Sequence, residues 1–122
     1  MSAQAHVLTV NLSDRSVDLD GQVLDLRRQE YRLLAFLAVH PGRVYTRYAL
    51  SQALWRRVEP HSNRAVDAYV ARIRKHLGAL NGCIRTINRV GYSLDDNHIV
   101  VRVASPPTAI PLATTIPTSI AG

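Results

Sequence analysis

The stretch Ser62-Asn63-Arg64-Ala65-Val66-Asp67-Ala68-Tyr69-Val70-Ala71-Arg72-Ile73-Arg74-Lys75-His76-Leu77 decides the reading of this chain. Its apolar residues Val66, Val70, Ile73 and Leu77 fall at i, i+4, i+7 and i+11. At about 100° per residue they form one narrow stripe, the pattern of an amphipathic helix. The opposite face holds Arg64, Ala68, Ala71, Arg72 and Lys75. Two alanines let a flat surface approach closely, and three cations favour a negative one. A DNA groove satisfies both conditions, so the stretch reads as a DNA-reading helix and the rest of the chain as its scaffold.

The chain has 122 residues and is 47% apolar, enough for one small domain with a modest core. The formal charge of +6 is unevenly spread. Arg27 to Arg89 holds 13 Lys or Arg against the three acids Glu30, Glu59 and Asp67, a net of +10. The flanks hold two arginines against six aspartates, a net of −4. A basic middle between acidic ends points to a polyanion meeting one part of the chain. The single thiol, Cys83, forms no internal disulfide and fits a reducing compartment. The N-terminus lacks a signal-peptide pattern, and no apolar run is long enough for a membrane span, so a cytoplasmic, nucleoid-associated protein is expected.

Before the basic helix, His6–Leu12, Ser16–Asp20 and Gln22–Leu26 read as strands of an antiparallel meander. Asp20-Gly21 is the signal for a tight hairpin turn. Val17, Leu19 and Val23 are expected on one apolar face. Arg27–Val39 reads as a helix stopped by His40-Pro41-Gly42. Val44-Tyr45 is extended, and Thr46 suits the N-cap of a helix over residues 47–54, with Leu50, Ala53 and Leu54 inward and Trp55 at its end. Residues 56–61 form a polar loop. After Gly78, residues 83–87 and 90–94 make a hairpin with Asn88-Arg89 at its turn. His98–Val103 can form an extra strand. The expected domain nonetheless spans 7–95, with a disordered N-terminus at 1–6 and a disordered Pro/Thr/Ala-rich tail at 96–122.

The fold class is therefore α+β, a winged helix-turn-helix with an N-terminal antiparallel β-meander, three helices and a C-terminal β-hairpin wing. In residue detail the chain resembles the OmpR/PhoB-type DNA-binding effector domain of bacterial response regulators. Four segments carry the resemblance: Glu30 to Val44, Thr46 to Trp55, Arg64 to Leu77, and the pair Ile84-Arg85-Thr86-Ile87 with Val90-Gly91-Tyr92-Ser93-Leu94. The family usually has Arg-Gly at the wing tip, whereas this chain has Asn88-Arg89. Asparagine tolerates left-handed φ, so the turn is expected to survive on Asn88. The family also places a receiver domain ahead of this module, where this sequence has about six residues before its first strand. It therefore reads as an isolated effector domain, a stand-alone regulator, or a regulator switched by other means.

The resemblance implies roles for individual residues. Arg72 is the expected base reader, with Ala68 and Ala71 against the groove floor. Asp67 is placed either to accept from cytosine or to orient an arginine. Arg64, Tyr69, Arg74 and Lys75 are expected on phosphates, as are Thr46 and Arg47 at a helix N-terminus. At the wing, Arg89 is the first candidate for the minor groove, beside Asn88 and Arg85. The family further suggests RNA polymerase as a partner of loop 56–61, and head-to-tail dimers on double-stranded DNA. No cofactor, metal site or catalytic constellation is expected. The competing reading is a winged-helix protein-interaction module whose basic face meets an acidic partner.

Overall fold

The computed structural model describes residues 6–55 and 62–104. The expectations for the first five residues, for loop 56–61 and for the tail from 105 onward fall outside these residues. Four strands form an N-terminal sheet: β1 (His6–Asn11), β2 (Ser16–Leu19), β3 (Gln22–Val23) and, from the far end of the chain, β7 (Ile99–Ala104). Three helices follow β3: α1 (Arg28–Val39), α2 (Arg47–Leu54) and α3 (Ser62–Leu77). A second sheet contains β4 (Tyr45–Thr46), β5 (Ile84–Ile87) and β6 (Gly91–Leu94) in the order β4-β6-β5.

The helices form where the periodicity places them. Val66, Val70, Ile73 and Leu77 are all buried along α3, each worth about 1.5 to 3 kcal/mol relative to exposure. Gly78, at φ +60°, ends the helix in the left-handed conformation that its missing Cβ permits. Arg74, Lys75 and His76 lie in the last turn, where cations complement the helix dipole. In α1 the Glu30 carboxylate accepts from the Arg27 backbone N–H at 3.0 Å, tying down the helix start. Thr46 caps α2 as its sequence suggests, its Oγ1 accepting from the Ala49 N–H at 3.0 Å. Inward on α2 are Leu50, Ser51 and Leu54, whereas Ala53 is only half-buried.

Three expectations about the sheet need correction. Asp20 and Gly21 do make the tight turn, both at positive φ (54° and 86°). That two-residue loop pairs Leu19 with Gln22 and Asp18 with Val23, so Val23 falls on the side away from Val17 and is 68% exposed. Leu24 and Leu26 pack against the core in its place. Second, the domain does not stop at 95. Residues 99–104 pair with β1 in parallel, Leu8 opposite Val101 and Val10 opposite Val103, and Ile99 is buried. The meander is thus antiparallel only through β3-β2-β1, and a C-terminal strand adds the fourth member. Third, His6 is already in β1 rather than in a loose N-terminus. In the second sheet, Gly91 is required by packing: a Cβ there would overlap the Tyr45 carbonyl oxygen.

Candidate nucleic-acid interface

Arg64, Ala68, Ala71, Arg72 and Lys75 are all exposed on α3, on the side opposite its buried stripe. These positions keep the character expected of a groove-facing surface, small in the middle and basic around it. Arg72 carries its guanidinium 5.8 Å from the Tyr69 ring centroid, and that ring packs on Trp55 at 6.1 Å. Tyr69 is therefore half-buried and supports Arg72. A shallow cleft beside them brings Arg72 and Lys75 near Asp25, Glu30 and His76.

The flank of α3 that faces the second sheet is built differently. Asp67 Oδ1 accepts two hydrogen bonds, from Arg47 Nε at 2.8 Å and from the Tyr92 hydroxyl at 2.6 Å. Asp67 thus holds the Arg47 side chain in place. Tyr92 lies between two cations, with the Arg47 and Arg74 guanidiniums each 5.7 Å from its ring centroid. Burial, and then its bond to Asp67, push the Tyr92 hydroxyl above its usual pKa, so it stays a donor. The bond to Asp67 likewise raises the pKa of Arg47. Arg74 donates to the Ile84 carbonyl through Nε (3.2 Å) and a terminal nitrogen (2.5 Å), and to Thr86 Oγ1 at 2.8 Å. Arg74, expected on phosphate, donates inward here, and its guanidinium pins α3 to β5. Arg47, expected on phosphate, is half-buried and holds Asp67 through one of its nitrogens.

The wing turn runs Ile87-Asn88-Arg89-Val90, closed by the Val90 N–H on the Ile87 carbonyl at 2.9 Å. Arg89, not Asn88, carries the positive φ, at 62°. The family's glycine position is therefore filled here by an arginine in a left-handed conformation, exposed at the tip. Arg85 is also exposed, paired across the hairpin with Ser93. Sequence reading assigned no contact to the Tyr92 hydroxyl or to Thr86. The clue to both was alternation in β5 and β6, which sets Thr86 opposite Tyr92. Among the described residues no group of three or more His, Cys, Asp or Glu is placed to hold a metal ion.

The family model described as "Transcriptional regulatory protein, C terminal" matches residues 21–94. The chain belongs to this family. Its fold is the winged-helix DNA-binding domain of OmpR/PhoB-type regulators. The transcriptional regulatory protein VxrB of Vibrio cholerae is 37% identical over 87 residues, covering 71% of this chain and 35% of that protein. The phosphate regulon transcriptional regulatory protein PhoB of Rhizobium meliloti is 35% identical over 104 residues, covering 76% of this chain and 46% of its own. The chain thus spans less than half the length of these two relatives. Among solved structures, the RstA DNA-binding domain of Klebsiella pneumoniae, in complex with the RstA box, is similar at a TM-score of 0.65 and 28% identity, over 76% of this chain and 95% of that one. The family match ends at Leu94, so β7 lies beyond it. No helix among the described residues is long and apolar enough to cross a membrane.

Proposed function

We propose that this domain recognises a specific double-stranded DNA sequence for a transcriptional regulator, with α3 in the major groove and the hairpin 83–94 over the adjacent minor groove. The observation that carries the reading is the division of labour on α3. Its outer face leaves Arg64, Arg72 and Lys75 exposed around two alanines, while its other basic residue of that stretch, Arg74, is bonded inward. A B-DNA major groove admits one helix presented this way, and arginine reads guanine by a bidentate pair. Arg72 is the base reader, Ala68 and Ala71 meet the groove floor, and Arg64 and Lys75 grip phosphate. Asp67 acts from behind, holding Arg47 and Tyr92. Thr46 and Arg47 approach the backbone at the α2 N-terminus, and Arg89 reaches the minor groove. Contact with RNA polymerase through residues 56–61, head-to-tail pairing on direct repeats, and a cytoplasmic, nucleoid-associated location with no catalytic activity complete the proposal.

The test is selection of bound duplexes from a random library, followed by affinity for the selected site against random duplex over a range of salt. Wild type should discriminate, with affinity falling steeply as salt rises because each neutralised phosphate releases counterions. Equal affinity for selected and random duplexes at every salt concentration would refute base reading by α3. Two half-sites in direct repeat in the selected sequences would support head-to-tail pairing, and a single isolated half-site would count against it.

A further inference from the structure

α1 carries a second basic face, turned away from α3. Its inward residues Glu30, Leu33 and Leu37 are buried, and Glu30 Oε1 lies 3.9 Å from His76 Nε2 on α3. Arg28 and Arg32, two positions to either side of Glu30, point the opposite way and are exposed. Between them and the N-terminal sheet runs a cleft of about 590 Å³ lined by Leu12, Arg15, Leu26, Arg28, Tyr31 and Arg32. Three arginines line it and no acidic residue does. Arg15 is presented by the β1–β2 turn at φ +55°. It shares the cleft lining with Tyr31, whose hydroxyl burial pushes above its usual pKa. Arg32 donates to the Ala53 and Leu54 carbonyls at 3.1 and 3.0 Å, so it is already engaged at the end of α2. Arg15 and Arg28 make no ion pair or side-chain hydrogen bond among the described residues.

None of the residues that line this cleft belongs to α3, so DNA seated on the outer face of α3 leaves it open. The lining selects the ligand chemistry. Guanidiniums pair with carboxylates or phosphates. Leu12, 41% exposed, together with Leu26 and the Tyr31 ring, offers apolar surface that a free inorganic anion would leave unused. An acidic, amphipathic protein segment uses both. We propose that the cleft between α1 and the N-terminal sheet docks an acidic peptide segment of a partner protein, with Arg15 and Arg28 pairing its carboxylates and Leu12, Leu26 and Tyr31 receiving an apolar side chain. This surface is separate from the DNA-reading face, so the domain can hold DNA and the partner at once.

The experiment uses the full chain and a labelled peptide of Glu-Leu-Leu-Glu repeats as probe, with sodium pyrophosphate as the small-anion arm. Fluorescence anisotropy should show binding that weakens about tenfold or more in Arg15→Gln combined with Arg28→Gln, as expected when two charge-assisted contacts are removed. Both side chains are exposed, and unchanged duplex binding by this variant shows that it folds. Amide shifts on peptide addition should centre on Leu12, Leu26 and Tyr31, and duplex DNA should not displace the peptide. The proposal is overturned if the peptide fails to bind, or if the double variant binds it unchanged. Shifts at Ala68, Ala71 and Lys75 with displacement by duplex would also overturn it, since the DNA face would then be the acidic-peptide site. Pyrophosphate binding as tightly as the peptide would make the cleft a small-anion site instead. Loss of duplex binding in the double variant would join the cleft to the DNA interface and equally end the proposal.

Discussion

Arg72 and Arg74 sit two residues apart on one helix and carry the same charge, yet their surroundings separate them. Arg72 is exposed, resting over Tyr69, with nothing fixing its guanidinium nitrogens among the described residues. Arg74 is half-buried, and its nitrogens reach Ile84 and Thr86. About 200° of helix rotation turns one outward and the other toward the second sheet. A cation in a DNA-facing segment is therefore a reader only if the fold leaves its donors free. A bonded one ties α3 to the wing, and in the proposed complex that tie governs whether both reach their grooves together.

Arg74→Ala is expected to have the largest effect. It removes charge-assisted hydrogen bonds and leaves the Ile84 carbonyl without its side-chain partners, for a loss of about 2 to 3 kcal/mol of stability. In a domain of this size that lowers Tm by the order of 10 °C. Binding to selected and random duplex should weaken together, because the wing loses its register with α3. Thermal melts and paired affinities measure this, and an unchanged Tm would dissolve the contrast. Arg72→Ala should do the reverse. Tm should hold, while discrimination between the selected site and a variant at the contacted base pair falls by roughly 1 to 3 kcal/mol. If Arg72→Ala weakened all duplexes equally, it would belong with the phosphate-gripping residues.

Much of this contrast was legible in the sequence, and the part that was not has a physical cause. The stripe Val66, Val70, Ile73 and Leu77 fixes the buried side of α3, and all four are buried. The Thr46 cap and the Asp20-Gly21 turn are local chemistry that needs only neighbours, and both form. What escaped were partners distant in the chain. Arg74 meets Ile84 ten residues on, and Asp67 meets Arg47 and Tyr92 at separations of 20 and 25. Periodicity reports which way a side chain points, not what waits there. Val23 failed for a related reason: alternation continued through a turn whose two-residue length shifts the face. The boundary at 95 failed because the possible strand at 98–103 reveals its place in the domain only once β1 provides its partner.

Arg89 is a third kind of cation, neither free of backbone constraint nor bonded inward. Its positive φ costs an L-residue about 1 kcal/mol, which glycine would not bear. Arg89→Gly should therefore stabilise the domain by up to about 1 kcal/mol, read as a small rise in the denaturation midpoint. The same change removes the cation at the wing tip, so duplex affinity should fall, more at low salt than at high. A stabler domain with undiminished DNA affinity would show that the wing tip does not meet the duplex, and Arg85 would become the hairpin's candidate contact.

The smallest effect is expected at Tyr92, where the locked flank can be loosened without being emptied. Tyr92→Phe keeps the ring between Arg47 and Arg74 but removes the hydroxyl donor to Asp67. A single hydrogen bond of this kind is worth about 1 kcal/mol, and the orphaned acceptor is only half-buried, so the loss should be at or below that. The pH dependence separates this bond from ring packing. Burial and the Asp67 carboxylate raise the Tyr92 pKa in the folded state. The associated stability is fully present below the unfolded tyrosine value of about 10 and is lost as pH rises through the higher folded value. Tyr31 and Cys83 are raised by burial as well, so wild type should lose stability in alkali through several groups. Tyr92→Phe removes one of them. Its deficit relative to wild type should therefore shrink as pH climbs past 10, and a deficit that stayed constant would mean that the ring, not the hydroxyl, joins Asp67 to the wing.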